Sequence, residues 1–285
     1  MYTGNPGLRI QVGGIEIEYE EHGRGTGRAF VLVHGFTGSR DDWREVLPRL
    51  AARGRTVAPD LRGHGGSTNP GESAAYSIDQ LVADLSGFLD ALGMPRIDLL
   101  GHSMGGMVAL RFTLDRPERV ASLILMDTAA EPITQGARRF FEVAAKIARE
   151  QGMEALHKVA RAAADQDPNR PASVQRCVER MGADKFWARI RAKQLSMDPE
   201  AFATLGPMLA DHEGVAGRLG EIRCPTTVLV GEDDRAFLKP AEVLAGGIPG
   251  ARHVVIEGAA HSPQLENQEA WLDAVLAHLE RARAA

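Results

Sequence analysis

Short apolar runs alternate with longer stretches of helical spacing over the first 130 residues of the chain. Leu8-Arg9-Ile10-Gln11-Val12 and Ile15-Glu16-Ile17-Glu18-Tyr19 alternate apolar and polar around Gly13-Gly14, the pattern of a β-hairpin. The later runs, at residues 29–33, 56–59, 97–100 and 121–126, are almost continuously apolar. Such runs predict parallel strands with both faces covered. Between them, residues 41–52 place Trp43, Val46, Leu47 and Leu50 at helical spacing. Residues 78–92 do the same with Leu81, Val82, Leu85, Phe88, Leu89 and Leu92, before Gly93 and Pro95 stop the pattern. Strand, helix and strand in repetition predict an α/β sheet with right-handed crossovers.

The rhythm changes after Asp127. Residues 131–211 carry no strand pattern, only helical periodicity broken at Gly152, Pro168, Pro171, Gly182, Pro199 and Pro207. Strands resume at residues 226–230 and 253–256, and a helix bearing Trp271, Leu272, Val275, Leu276 and Leu279 closes the chain. This arrangement predicts a core of residues 1–130 and 212–285, interrupted by a helical insertion at 131–211 after the sixth strand.

Composition narrows the class of molecule. The 285 residues carry 33 Lys and Arg against 38 Asp and Glu, a net charge of −5, without the basic excess of a nucleic-acid binder. A chain of this length buries about 75% of its unfolded surface, so its core needs neither disulfides nor a structural metal. Cys177 and Cys224 have no metal-ligand spacing, and their expected state is reduced. No stretch reaches the ~18 apolar residues of a membrane span. Residues 1–6 lack the basic head and apolar run of a signal peptide, and a cytoplasmic location is expected.

The strongest chemical signal is Gly101-His102-Ser103-Met104-Gly105-Gly106. It follows a predicted strand and opens a helical pattern, the setting of a nucleophile elbow: a serine on a sharp strand-to-helix turn, flanked by glycines where a Cβ would clash. A serine nucleophile needs a base. His261, just past the last strand in Gly258-Ala259-Ala260-His261-Ser262-Pro263, sits on a loop able to reach the elbow. The base needs a carboxylate to hold its tautomer, and Glu232, Asp233 and Asp234 follow the penultimate strand after Gly231. Serine, acid and histidine occur in the chain order that this architecture demands. His22, His157, His212, His253 and His278 have no catalytic context, and the His102 side chain is expected to point away from Ser103.

These segments, with His34-Gly35-Phe36 after the third strand and the loop from Asp60 to Ser67 after the fourth, resemble an α/β-hydrolase with a helical cap over nearly the whole chain. The resemblance implies a mostly parallel eight-stranded sheet with helices on both faces. It selects Asp234 as the acid, with Asp127 as the alternative that some relatives use. It assigns an oxyanion hole to the backbone N–H groups of Phe36 and Met104, and gives His34, His64 and Arg62 structural roles in their loops. It requires no metal and no organic cofactor. The implied activity is hydrolysis of a small-molecule carboxylic ester or lactone through an acyl-enzyme on Ser103.

Three alternatives share these residues. The tail from His261 to Asn267 resembles enzymes that hydrolyse carbon–carbon bonds of vinylogous diketones, although Ser262 stands where those usually carry Trp or Phe. Cofactor-free perhydrolases share every motif. A ligand receptor or scaffold of the same fold could retain the triad while signalling through partners. Within residues 131–211, Phe140, Phe141, Phe186, Trp187 and Phe202 are expected mostly to pack the insertion, with a minority lining a pocket. One inward-facing arginine among Arg138, Arg139, Arg149, Arg161, Arg170, Arg176, Arg180, Arg189 and Arg191 would favour a carboxylate-bearing substrate.

Overall fold

A computed structural model describes residues 7–25, 27–132, 135–168 and 170–284. Residues 1–6, expected to carry no leader, lie outside the described residues. Eight strands form one sheet: β1 (Leu8–Val12), β2 (Ile15–His22), β3 (Phe30–Val33), β4 (Thr56–Pro59), β5 (Ile97–His102), β6 (Val120–Met126), β7 (Thr226–Gly231) and β8 (Arg252–Ile256). Their order is β1-β2-β4-β3-β5-β6-β7-β8. The pairs β1–β2 and β2–β4 are antiparallel, and the others are parallel. The predicted hairpin forms with Val12 opposite Ile15, and both turn glycines, Gly13 and Gly14, have positive φ, as a two-residue hairpin turn requires.

Alternating side chains of the continuously apolar strands feed two separate cores. Val31, Val33, Leu99, Leu123 and Leu125 face one side, against α2 (Ile78–Ala91), α3 (Met104–Asp115) and α8 (Arg235–Gly247). Phe30, Leu32, Leu100, Ile124 and Met126 face the other, against α1 (Leu47–Ala51) and α10 (Gln268–Ala284). The strands are buried on both faces because both faces have helices to meet.

The single helix expected over residues 41–52 is instead a 3-10 turn, Arg40–Trp43, followed by the short α1. Ser39 and Asp42 form a capping box on the first piece, and Pro48 sits in the first turn of the second. A proline belongs at a helix start and disrupts a helix that tries to run through it, so the segment restarts at Leu47.

Between β6 and β7 the described residues contain only helices: α4 (Gln135–Asp165), α5 (Ala172–Met181), α6 (Ala183–Leu195) and α7 (Pro199–Met208). Gly152 kinks α4, Pro171 caps α5, Gly182 separates α5 from α6, and Pro199 starts α7, all at predicted breaks. Pro207 differs, because it rides inside the last turn of α7. The segment is tied to the sheet side by polar contacts. Tyr76 Oη donates to Asp198 at 2.5 Å, Arg189 donates to Glu45 at 2.6 Å, and Lys193 bonds to Asp42. A short helix, α9 (Pro263–Glu266), separates the His261 loop from α10. Neither cysteine forms a disulfide.

Candidate active site

Ser103 stands between β5 and α3 with φ 52° and ψ −119°, a conformation rare for a residue with a Cβ. Its surroundings hold it there. Its N–H donates to the Met126 carbonyl at 2.9 Å, and its own carbonyl accepts from Thr128 Oγ1 at 2.7 Å. The flanking glycines are steric necessities. A Cβ on Gly101 would lie 2.3 Å from the Gly105 carbonyl oxygen, and one on Gly105 would lie 2.4 Å from that of His34.

The structure brings His261 and Asp234 to this serine. His261 Nε2 is 3.1 Å from Ser103 Oγ, and Nδ1 is 2.7 Å from Asp234 Oδ2. A carboxylate only accepts, so Nδ1 carries the proton and Nε2 is free to accept the serine hydroxyl hydrogen. Asp234 is 8% exposed at the start of α8, whereas Glu232 is exposed and accepts from the Gly258 N–H at 2.9 Å. Among the three acids after β7, Asp234 is the one that meets His261.

Several neighbours fix the imidazole. The ring of Phe237 stacks on it at 4.8 Å and 30°, and the His102 ring lies 4.9 Å away. Glu266 accepts from the N–H groups of both Ala260 and Ser262, clamping the loop on either side of His261. His102 does not face Ser103 Oγ; its Nε2 donates to the His261 carbonyl at 2.7 Å. Burial, with His261 beside it, pushes the His102 imidazole down to about 3, so it stays neutral. His102 and Glu266 lie within motifs of the sequence, but these positioning contacts are not legible there, because the partner of His102 and the fold of the loop around Glu266 are set only in three dimensions.

Asp127, the alternative acid, lies fully buried beyond Asp234 and accepts from the Gly231 N–H at 2.9 Å. Oxygens of Asp127 and Asp234 and a ring nitrogen of His261 lie within 4.8 Å of one another, donors that a cation could use. The Gly231 N–H bonds one oxygen of Asp127, and the His261 Nδ1–H bonds one oxygen of Asp234.

The resemblance assigns an oxyanion hole to the N–H groups of Phe36 and Met104. Met104 is the first residue of α3, so its N–H has no partner within the helix. The Gly35 backbone, next to Phe36 in the chain, passes so close that a Cβ there would be 3.0 Å from Ser103 Cβ. The ring of Phe36 packs on Phe202 at 4.9 Å and Phe141 at 5.8 Å, an apolar wall built by α4 and α7. His34 Nδ1 donates to the Gly35 carbonyl while Nε2 accepts from the Leu61 N–H at 2.9 Å, and His64 Nδ1 donates to the Arg62 carbonyl. Arg62 forms a two-pronged pair with Asp84 at 2.6 and 2.7 Å. All three are loop-forming residues.

Ser103 is 7% exposed. A cavity of about 800 Å³ lies between Ser39–Arg40, Gly65–Gly66 and α6, and its lining does not include Ser103. Eight of the nine arginines of the helical segment have partners away from Ser103. Arg138, Arg149, Arg161, Arg170, Arg189 and Arg191 pair with acids, and Arg176 and Arg180 donate to backbone carbonyls of Gly258 and Leu265. Among the described residues no helix is long and apolar enough to cross a membrane.

The sequence profile described as "alpha/beta hydrolase fold" matches residues 28–268. A putative 2-succinyl-6-hydroxy-2,4-cyclohexadiene-1-carboxylate synthase of Bacillus subtilis is 28% identical over 257 residues, 89% of this chain and 90% of that one. Other curated relatives match over shorter stretches, which span less than half of their own length. The crystal structure of the enol-lactonase from Burkholderia xenovorans superposes with a TM-score of 0.82 at 27% identity, covering 96% of this chain and 100% of that one. A thermophilic esterase from Thermogutta terrifontis superposes with a TM-score of 0.82 at 29% identity, covering 96% and 99%.

Proposed function

Because the chain belongs to the α/β-hydrolase fold family, we propose that it is a serine hydrolase cleaving a small carboxylic ester or lactone. The observation that carries this reading is the unbroken hydrogen-bonded line Ser103–His261–Asp234 at the end of β5. Ser103 Oγ attacks the carbonyl carbon as His261 Nε2 takes its proton. The negative charge that develops on the carbonyl oxygen meets the N–H groups of Phe36 and Met104, each worth about 3 kcal/mol in such a role. Asp234 stabilises the imidazolium. The alcohol leaves with the proton from His261, and water, deprotonated by the same imidazole, releases the acid from Ser103.

Helices α4–α7 act in this reading as a cap, with Phe36, Phe141 and Phe202 as the apolar wall of the pocket. Eight of the nine cap arginines are engaged elsewhere, which supports an uncharged acyl group over a carboxylate-bearing one. The similarity to an enol-lactonase and an esterase supports the same bond type. The test is Ser103→Ala against a panel of p-nitrophenyl esters and lactones. Turnover falls by about a million-fold if Ser103 is the nucleophile, and a variant that keeps its activity overturns the assignment.

A further inference from the structure

Asp127 is a buried carboxyl that the proposed ester hydrolysis does not use. It follows β6 with φ 45°, its N–H donates to the Leu229 carbonyl at 3.0 Å, and its side chain is fully enclosed. One oxygen, Oδ1, accepts the Gly231 N–H. The other, Oδ2, is buried and meets no donor. The titratable groups around it are Asp234 after β7, Glu266 on α9 and His261, whose Nδ1 proton is already given to Asp234. Two buried carboxylates facing each other cannot both keep a charge cheaply, and a proton between them turns repulsion into a hydrogen bond. Burial, reinforced by Asp234, drives the Asp127 carboxyl well above the usual carboxylate range, in accord with this geometry.

Resting on the triad reading above, we propose that Asp127 is a positioning residue that works as a neutral acid. Its Oδ1 accepts the Gly231 N–H while Oδ2–H donates to the Asp234 carboxylate. It thereby pins both the turn that delivers Asp234 and the carboxylate itself, leaving Asp234 Oδ2 directed at His261 Nδ1. The role differs from that of a second triad acid, which would be ionised and would bond the imidazole directly.

The two roles make opposite demands on asparagine. An asparagine at 127 reproduces a neutral acid: its carbonyl accepts from Gly231, its amide donates to Asp234, and it tolerates positive φ. The experiment follows the reaction of Ser103 with a fluorophosphonate from pH 5 to 9, in which Oγ bonds to phosphorus, fluoride leaves and His261 receives the hydroxyl proton. The proteins are the full chain and its Asp127→Asn, Asp127→Ala and Asp234→Asn variants, each with its Tm. Asp127→Asn is expected within about threefold of the parent at every pH, with the same profile. Asp127→Ala is expected to lose about ten- to a hundredfold, the worth of one hydrogen bond to a charged group.

The proposal is overturned if Asp127→Asn falls by more than threefold, if its pH profile loses a step that the parent shows, or if folded Asp127→Ala matches the parent. Should Asp127→Ala fail to fold, the Asp127→Asn rate and profile decide. Asp234→Asn separates the two readings: its labelling collapses if the triad is right. If it labels like the parent, or the parent does not label, the triad reading falls and takes this proposal with it.

Discussion

The Nε2–H of His102 reaches 2.7 Å across to the backbone carbonyl of His261. The residue beside Ser103 thus ties down the loop of His261, so that the strand end carrying Ser103 and the loop carrying His261 are held together. Replacing His102 by Phe keeps a ring against the His261 ring but removes the donor. The expected result is a loss of about tenfold in kcat/KM for a p-nitrophenyl ester, the cost of one buried hydrogen bond lost from a positioned base. Steady-state kinetics with a parallel Tm measurement check it, and an unchanged kcat/KM would show that the loop is positioned without His102.

The elbow glycines are a separate matter, of space rather than hydrogen bonding. A Cβ at position 105 would come within 2.4 Å of the His34 oxygen and 2.5 Å of the Val33 oxygen. Both are backbone atoms at the end of β3 and cannot swing aside. Gly105→Ala is therefore expected to destabilise the fold by about 1–3 kcal/mol, each kcal/mol lowering Tm by roughly 2–4 °C. Thermal unfolding measures the shift, and an alanine variant as stable as the parent would contradict this packing of α3 on β3.

The parts of this site that were legible in the sequence are those whose signal is local. The Gly-x-Ser-x-Gly run follows an apolar strand pattern, His261 follows the last one, and Asp234 follows the strand before it. Each can be placed at a strand end without knowing what it touches. The supporting residues behave differently. His102 meets His261 across 159 positions and Asp127 meets Gly231 across 104, so neither partner is visible until the sheet order is known. The 41–52 segment shows a similar limit, because apolar spacing alone continues through Pro48 while the backbone does not. The sequence leaves open whether an arginine of α4–α6 faces inward, and the pairing of Arg149, Arg189 and Arg191 with acids on neighbouring elements emerges only in three dimensions.

His64 makes the protein acid-sensitive in a way that one substitution isolates. Burial, with His34 beside it, pushes its imidazole down to about 3. The folded state therefore keeps His64 neutral while the unfolded chain protonates it near pH 6.5. The unfolded state binds the extra proton, so this contribution to stability is present above pH 6.5 and is lost as the pH falls toward 3. His64→Asn retains a donor for the Arg62 carbonyl and has nothing to titrate. Between pH 7 and pH 5 the stability difference between parent and variant is expected to move by about 2 kcal/mol in favour of the variant. Urea unfolding at the two pH values measures it, and a pH-independent difference would mean that His64 is not held neutral.

The apolar wall predicts which acyl groups the enzyme prefers. Phe141 meets Phe36 edge-on at 5.8 Å, and a Cβ on Gly206 would touch the Phe141 ring at 3.1 Å, so the ring is confined between Phe36 and α7. Phe141 is only half-buried, so removing its ring leaves less of a void than a deletion in the centre of the core. Phe141→Ala should therefore accept longer chains at modest cost in stability. Each methylene newly taken out of water adds about 0.8 kcal/mol, or about fourfold in kcat/KM. The ratio of kcat/KM for p-nitrophenyl hexanoate over acetate is expected to rise by at least tenfold in the variant, while acetate itself changes little. A ratio that stays constant, with both esters losing equally, would place Phe141 outside the acyl pocket and leave Phe36 and Phe202 as its only aromatic boundary among the described residues.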